Sequence, residues 1–143
     1  MPESMDIKIL VLEHDETMRH WLGRLLTQCE GYNYLGSFPG VAEASQAIGL
    51  LNPHIILLDT ACAVSLSAEE VARLKKCLPL AWVLLLDLEE GPGYERLAQR
   101  LGADGFLCKG RLPEQLRDLR QRFQQERKAG DQARRDMLQT EIS

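Results

Sequence analysis

Two residues that could handle a phosphoryl group stand 50 positions apart, each directly after a short apolar run. Asp59 follows the run IILL, and Lys109 follows the run FLC. A carboxylate can accept a phosphoryl group as a nucleophile, and a positioned ammonium offsets the charge on the transferred oxygens. Taken singly, each residue is more simply explained as a charge in a loop. The chemical interpretation therefore depends on which elements bring the two together.

Short apolar runs alternate with helical stripes along the whole chain. Runs rich in aliphatic or aromatic residues predict five strands, at 7–12, 34–38, 55–58, 82–86 and 106–107. Apolar residues at helical spacing predict a helix after each strand, with the stripes beginning at Met18, Val41, Val71, Tyr94 and Leu116. Glycines and prolines separate these segments. Examples are Gly31, Pro53, Pro79 and Gly102.

Five consecutive strand-helix units predict an α/β fold with a doubly wound, five-stranded parallel sheet. Right-handed crossovers return the chain to the same edge, so the carboxyl ends of all the strands lie together. Functional residues in such sheets follow the strand ends, near the point where the winding reverses. The residues selected by this rule are Glu13, His14, Asp59, Asp87 and Lys109.

The chain has 143 residues, of which 45% are hydrophobic and 27% charged, as in ordinary globular proteins. This length suits one domain with a tail. We predict a domain over residues 1–125. The polar stretch 126–143 is expected to form either a helical extension or a disordered tail.

Composition excludes several classes of function. The net charge is −4, and residues 1–110 carry the acidic excess, so we expect no direct binding to nucleic acid. No apolar stretch could span a membrane and no secretion signal is present, which predicts a cytoplasmic protein. The cysteines show no C-x-x-C spacing and are expected to be buried, reduced thiols; they are Cys29, Cys62, Cys77 and Cys108.

Three segments resemble the hallmark segments of response-regulator receiver domains in two-component signalling. They are KILVLEH (8–14), PHIILLD (53–59) and GADGFLCK (102–109), in the family's order. The resemblance covers about residues 6–125 and is strongest to the receivers of LuxR-type transcriptional regulators. It implies a (βα)5, flavodoxin-like fold. It also implies that Asp59 is the phosphoacceptor, Lys109 the phosphate-pairing lysine and Phe106 the aromatic switch residue.

The resemblance also implies a magnesium site, which this sequence alters. Its ligands would be the carboxylates of Glu13 and Asp59 and the backbone carbonyl of Ala61, but His14 replaces the family's second acid. Imidazole is a poor magnesium ligand, so we expect Mg²⁺ binding to be weakened. The loop after Asp59 also lacks the proline and glycine usual in the family. A zinc or nickel site that uses His14 is disfavoured because the ligand set is nonspecific.

Asp87 is a second departure, because the family has a serine or threonine there. A carboxylate would repel a phosphoryl group, and we expect it to pair with Lys109 instead. We therefore favour an atypical receiver that switches through protein contacts, with impaired or absent phosphorylation of Asp59. The alternative is a functional Mg²⁺-dependent receiver that takes phosphate from a histidine kinase.

We expect no enzyme activity other than, at most, autophosphoryl transfer to Asp59. Aspartate-nucleophile phosphohydrolases have a second acid where this chain has Ala61, and no glycine-rich nucleotide loop is present. The expected partners are a histidine kinase or another signalling protein. A homodimer through the last two helices and strand five is a further expectation from the resemblance.

Overall fold

A computed structural model describes the backbone of residues 6–61 and 68–142, and side chains within 6–61, 68–69 and 71–129. Strands and helices alternate as the sequence predicts. In chain order they are β1 (Ile7–Leu12), α1 (Glu16–Gln28), β2 (Tyr32–Phe38), α2 (Val41–Leu51), β3 (Ile55–Asp59), α3 (Ala68–Cys77), β4 (Trp82–Asp87), α4 (Pro92–Leu101), β5 (Gly105–Cys108) and α5 (Leu112–Ile142). A short 3₁₀ turn, Lys109–Arg111, joins β5 to α5. The sequence SAEE (67–70) also predicts a capping box before α3, but Ser67 lies outside the described residues.

The sheet is five-stranded and entirely parallel, with the strand order β2-β1-β3-β4-β5. This confirms the predicted doubly wound α/β fold. The chain moves outward from β1 to β2 and then returns to β3 on the other side, so the winding reverses between β1 and β3. The carboxyl ends of these two strands therefore border the crevice in which ligands of such sheets bind.

The central strands are buried on both faces, which explains their continuous apolar sequences. Alternate residues such as Leu10, Ile56 and Leu85 belong to one core cluster, which also includes buried residues of α2, α3 and α4. Helix α1 contacts β1 and β2 and buries Leu22 and Leu26. Full burial of a leucine side chain contributes about 1.5–3 kcal/mol to folding. The many buried aliphatic residues of this core therefore stabilise the sheet that positions the strand ends.

Local signals fix where the helices begin and end. The Asp15 carboxylate accepts hydrogen bonds from the backbone N–H groups of Thr17 (2.9 Å) and Met18 (3.4 Å), and so caps α1. Helix α2 ends at Asn52, and α4 ends at Gly102, both in the left-handed conformation. Each of these two helices therefore ends at a left-handed residue, a few residues before the next strand begins.

The chain divides into two compact units, Met1–Leu112 and Pro113–Ser143. The second unit consists almost entirely of α5, whose helical backbone runs to Ile142 and includes Gly130. The predicted division at residue 125 stays a prediction. Within the described part of the chain, no helix combines the length and apolar character that crossing a membrane requires.

The described cysteines differ in their burial. Cys108 is buried and Cys29 is partly buried, but Cys77 is exposed at the end of α3. The burial predicted from the sequence is therefore wrong for Cys77, because that residue lies on the outer face of an amphipathic helix. Cys62 lies outside the described residues.

Candidate functional site

Three strand ends bring one ammonium and two carboxylates together. The Lys109 Nζ lies 2.9 Å from Asp59 Oδ1 and 3.0 Å from Glu13 Oε2. All three residues are buried, with 6%, 6% and 3% of their surfaces exposed, respectively. Residues 96 positions apart in the chain thus form one ionic cluster, as expected for the ends of parallel strands.

The sheet register explains this convergence. Leu12 of β1 lies opposite Leu58 of β3, so the next residues along, Glu13 and Asp59, are side by side. Lys109 leaves the end of β5 in the 3₁₀ turn, and its long side chain extends toward both carboxylates.

Each carboxylate has one oxygen near Lys109 and another bonded to a backbone N–H. Asp59 Oδ2 accepts from Ala61 at 3.1 Å, and Glu13 Oε1 accepts from Asp15 at 3.3 Å. Glu13 Oε2 is buried, and its contact of 3.0 Å with the Lys109 ammonium is an ion pair without well-directed hydrogen-bond geometry. Glu13 is therefore the less satisfied of the two carboxylates.

The electrostatics of the cluster follow from this arrangement. Burial raises the pKa of Glu13, and the charge of Asp59 raises it further, while Lys109 only partly offsets the two. Burial lowers the pKa of Lys109, but its contacts with Asp59 and Glu13 outweigh burial, and the net change is upward. Lys109 is therefore a firmly charged ammonium, and Glu13 takes up a proton more readily than an exposed glutamate.

His14 and Asp15 do not join the cluster. His14 is exposed, and the Asp15 carboxylate caps α1. Arg19 fixes this turn, because its Nη1 donates to the backbone carbonyls of Glu13 (2.8 Å) and His14 (2.9 Å). Sequence reasoning missed Arg19, since no spacing rule shows that a helical arginine will fold back on the preceding turn.

Asp87 has partners other than the one predicted. Its Oδ2 accepts a hydrogen bond from the hydroxyl of Thr60, and its Oδ1 accepts from the Glu89 N–H at 3.2 Å. The predicted Asp87–Lys109 ion pair is wrong, because Lys109 already lies between two nearer carboxylates. Thr60, which sequence reasoning did not select as a site residue, is buried directly after Asp59.

Asp87 nevertheless remains charged. Burial raises its pKa, but the hydrogen bonds from Thr60 and the backbone of Glu89 and Leu88, helped by the charge of Lys109, outweigh burial and lower it. The site as a whole therefore combines one ammonium and two carboxylates, from Lys109, Glu13 and Asp59, with a further carboxylate at the end of β4. Its excess charge is negative.

The donor set does not fit a magnesium ion well. Glu13 and Asp59 supply carboxylate oxygens, but both face the Lys109 ammonium, and His14 is exposed. Among the described residues, no group of three or more histidine, cysteine or acidic side chains is placed to hold a metal. The role of the Ala61 backbone carbonyl as a magnesium ligand stays a prediction.

Phe106 lies on β5, partly buried against the core. Its ring stacks on that of Tyr94 in α4, with the ring centroids 5.1 Å apart and the planes inclined by 20°. Offset aromatic pairs of this kind contribute about 0.5–1.5 kcal/mol beyond the area they bury. The sequence indicated Tyr94 only as part of a helical stripe, and its contact with Phe106 was not predicted.

No protein-family model matches this chain. Among curated proteins, it is 29% identical over 119 residues to the response regulator GacA of Pseudomonas aeruginosa, a match that covers 82% of this chain and 55% of GacA. It is 27% identical over 107 residues to a protein-glutamate methylesterase/protein-glutamine glutaminase of Burkholderia thailandensis, covering 74% of this chain and 30% of that protein. The chain thus spans about a third to a half of the length of these relatives.

Two solved structures are matched over almost their whole length. The chemotaxis response regulator CheY4 of Vibrio cholerae is 22% identical with a TM-score of 0.66, over 83% of this chain and 99% of that one. The signal receiver domain of NarL from Mycobacterium tuberculosis is 24% identical with a TM-score of 0.66, over 82% and 98%. This chain has the fold of response-regulator receiver domains, and the recognition made from its sequence is confirmed at that level.

Proposed function

We propose that this chain is an atypical receiver that acts as a protein-interaction switch in phosphorelay signalling, with impaired or absent phosphorylation of Asp59. The observation that carries the proposal is the carboxylate of Asp87. It ends the strand next to β3, its pKa is lowered, and it is bonded to the residue that follows Asp59. A phosphoryl group on Asp59 would meet a negative charge there instead of a hydroxyl donor.

The charge balance supports impaired phosphorylation. A phosphoryl group brings about −1.5 to −2 charges at neutral pH. One ammonium, already paired with two carboxylates, is present to offset them. Two like unit charges about 5 Å apart repel by about 3 kcal/mol at an effective dielectric constant of 20. A bound Mg²⁺ would relieve this repulsion, but its site has one acidic ligand fewer, because His14 stands where the family has an acid.

Acetyl phosphate tests the proposal directly. The donor transfers its phosphoryl group to a carboxylate oxygen of Asp59 and releases acetate, and intact-mass spectrometry counts the adduct. With millimolar Mg²⁺, we expect little or no adduct on the wild-type chain. The double variant His14→Asp/Asp87→Ser restores an acid and a hydroxyl and should be labelled. Adding Asp59→Asn should abolish that labelling. Stoichiometric labelling of the wild type at Asp59 would overturn the proposal.

The second candidate is a functional receiver that takes phosphate from a histidine kinase at Asp59. The contact of 2.9 Å between Asp59 and Lys109 favours it, because the acceptor and its cation are already adjacent. Lys109→Met would then remove labelling of the wild type while Lys76→Met, an exposed lysine of α3, would not. Under the leading proposal neither variant changes the already low labelling.

A further inference from the structure

The loop between β4 and α4, residues 88–91, is tied down at successive positions. The N–H of Glu89 donates to Asp87, and the Tyr94 hydroxyl donates to Glu89 Oε2 at 3.1 Å. From the side of β5, the Cys108 Sγ donates to the carbonyl of Leu88 at 3.4 Å. A loop held in this way has few conformations available to it.

These contacts form a continuous path from the buried cluster to the switch residue. Thr60 donates to Asp87, Asp87 accepts from the Glu89 backbone, and the Glu89 side chain accepts from Tyr94. The ring of Tyr94 then stacks on that of Phe106. Thr60 itself is covalently attached to Asp59. Every step of the path is a bond or a ring contact between described residues.

We infer that Asp87 is the fixed anion that holds this loop without a phosphoryl group, and that Tyr94 is the positioning residue that connects Asp87 to Phe106. The inference rests on the proposed function, since it explains how an unphosphorylated receiver keeps one state of its switch residue. The Asp87 carboxylate is always present to accept a hydrogen bond from the Thr60 hydroxyl. A phosphoryl group on Asp59 would be present only until it was hydrolysed. The loop and Phe106 are therefore expected to keep one conformation whether or not a phosphoryl donor is present.

Hydrogen bonds to a charged acceptor are stronger than neutral ones, so the Thr60–Asp87 bond is the step whose removal should be most visible. Thr60→Val keeps the shape of the side chain and removes the hydroxyl. Thr60→Ser keeps the hydroxyl and serves as the conservative rescue. Tyr94→Phe keeps the ring and removes only the bond to Glu89. Glu95→Gln, on exposed α4 surface, is the charge control.

Amide hydrogen exchange and the NMR signals of the Phe106 ring are the measurements. In Thr60→Val, we expect exchange of the Glu89 amide to speed up on the order of tenfold, from the loss of one charged hydrogen bond, and the Phe106 ring signals to shift. Thr60→Ser and Glu95→Gln should leave both unchanged. Tyr94→Phe should shift Phe106, and combining it with Thr60→Val should add little further shift, because both variants interrupt the same path.

Unchanged Phe106 signals in both Thr60→Val and Tyr94→Phe, with core amides still protected, would overturn the inference. Equal shifts in Thr60→Val and Thr60→Ser would also overturn it, because the hydroxyl would then not be the cause. No phosphoryl donor enters these measurements. Labelling of Asp59 by acetyl phosphate would instead overturn the proposed function and leave the path itself intact, so the two failures are distinguishable.

Discussion

Replacement of Lys109 by methionine should destabilise the fold strongly and in a pH-dependent way. At 2.9 Å and 3.0 Å, each ion pair of Lys109 has a gross attraction of about 5–6 kcal/mol at an effective dielectric constant of 20. Most of this is offset by the cost of burying the ammonium. Removing one partner of a buried pair typically costs about 3–5 kcal/mol, because the remaining charges are left uncompensated. We expect about 3–4 kcal/mol at pH 8.

The loss should shrink as the pH falls. Burial and the charge of Asp59 raise the folded-state pKa of Glu13 above its ordinary value of 4.5, so its ionisation opposes folding as the pH rises through that folded-state pKa. In the variant, without the ammonium, Glu13 keeps its proton to a higher pH. At pH 5 more of Glu13 is therefore protonated in the folded state than at pH 8, and the loss of stability should be smaller there.

Urea unfolding followed by circular dichroism at pH 5 and pH 8 measures both quantities. Lys76→Met is the matched control, since Lys76 is exposed. It should change the free energy of unfolding by less than about 0.5 kcal/mol. A Lys109→Met variant as stable as the wild type at pH 8, or a loss identical at the two pH values, would refute the description of the cluster.

Three further substitutions test other parts of the structure by the same unfolding measurement. Glu13→Gln should stabilise the fold at pH 8 and have little effect below pH 4.5, because it removes a buried carboxylate with a raised pKa; destabilisation at pH 8 would contradict this. Gly102→Ala should cost about 1 kcal/mol, because the residue has a φ of 77°, and a neutral effect would contradict the left-handed cap. Gly23→Ala should cost about 1–2 kcal/mol, because its new methyl group would lie 3.1 Å from the ring of Tyr34; an unchanged stability would show that the ring moves freely.

The strands and the convergence of their ends could be predicted from the sequence. Apolar runs such as that of β3, bounded by Pro53 and Asp59, mark buried parallel strands, and parallel topology then requires that their ends meet. The sequence alone therefore places Glu13, Asp59 and Lys109 in one cluster. That prediction depends on backbone topology alone.

The contacts of the remaining site residues could not be predicted in this way. Which carboxylates pair with Lys109 depends on side-chain rotamers and on competing donors, and so Asp87 was wrongly paired with it. The Thr60 hydroxyl and the Arg19 guanidinium carry no sequence pattern that indicates their partners. The stacking of Tyr94 on Phe106 joins a helix and a strand whose relative rotation the hydrophobic stripe does not specify.

The central proposal is that the pocket around Asp59 binds a phosphoryl group poorly or not at all, and beryllofluoride with Mg²⁺ tests it most directly. This reagent forms a phosphoryl-like adduct on an acceptor carboxylate, which ¹⁹F NMR detects as signals distinct from the free ion. We expect no bound signal from the wild-type chain and a bound signal from His14→Asp/Asp87→Ser. A stoichiometric bound signal from the wild type that disappears in Asp59→Asn would contradict the proposal.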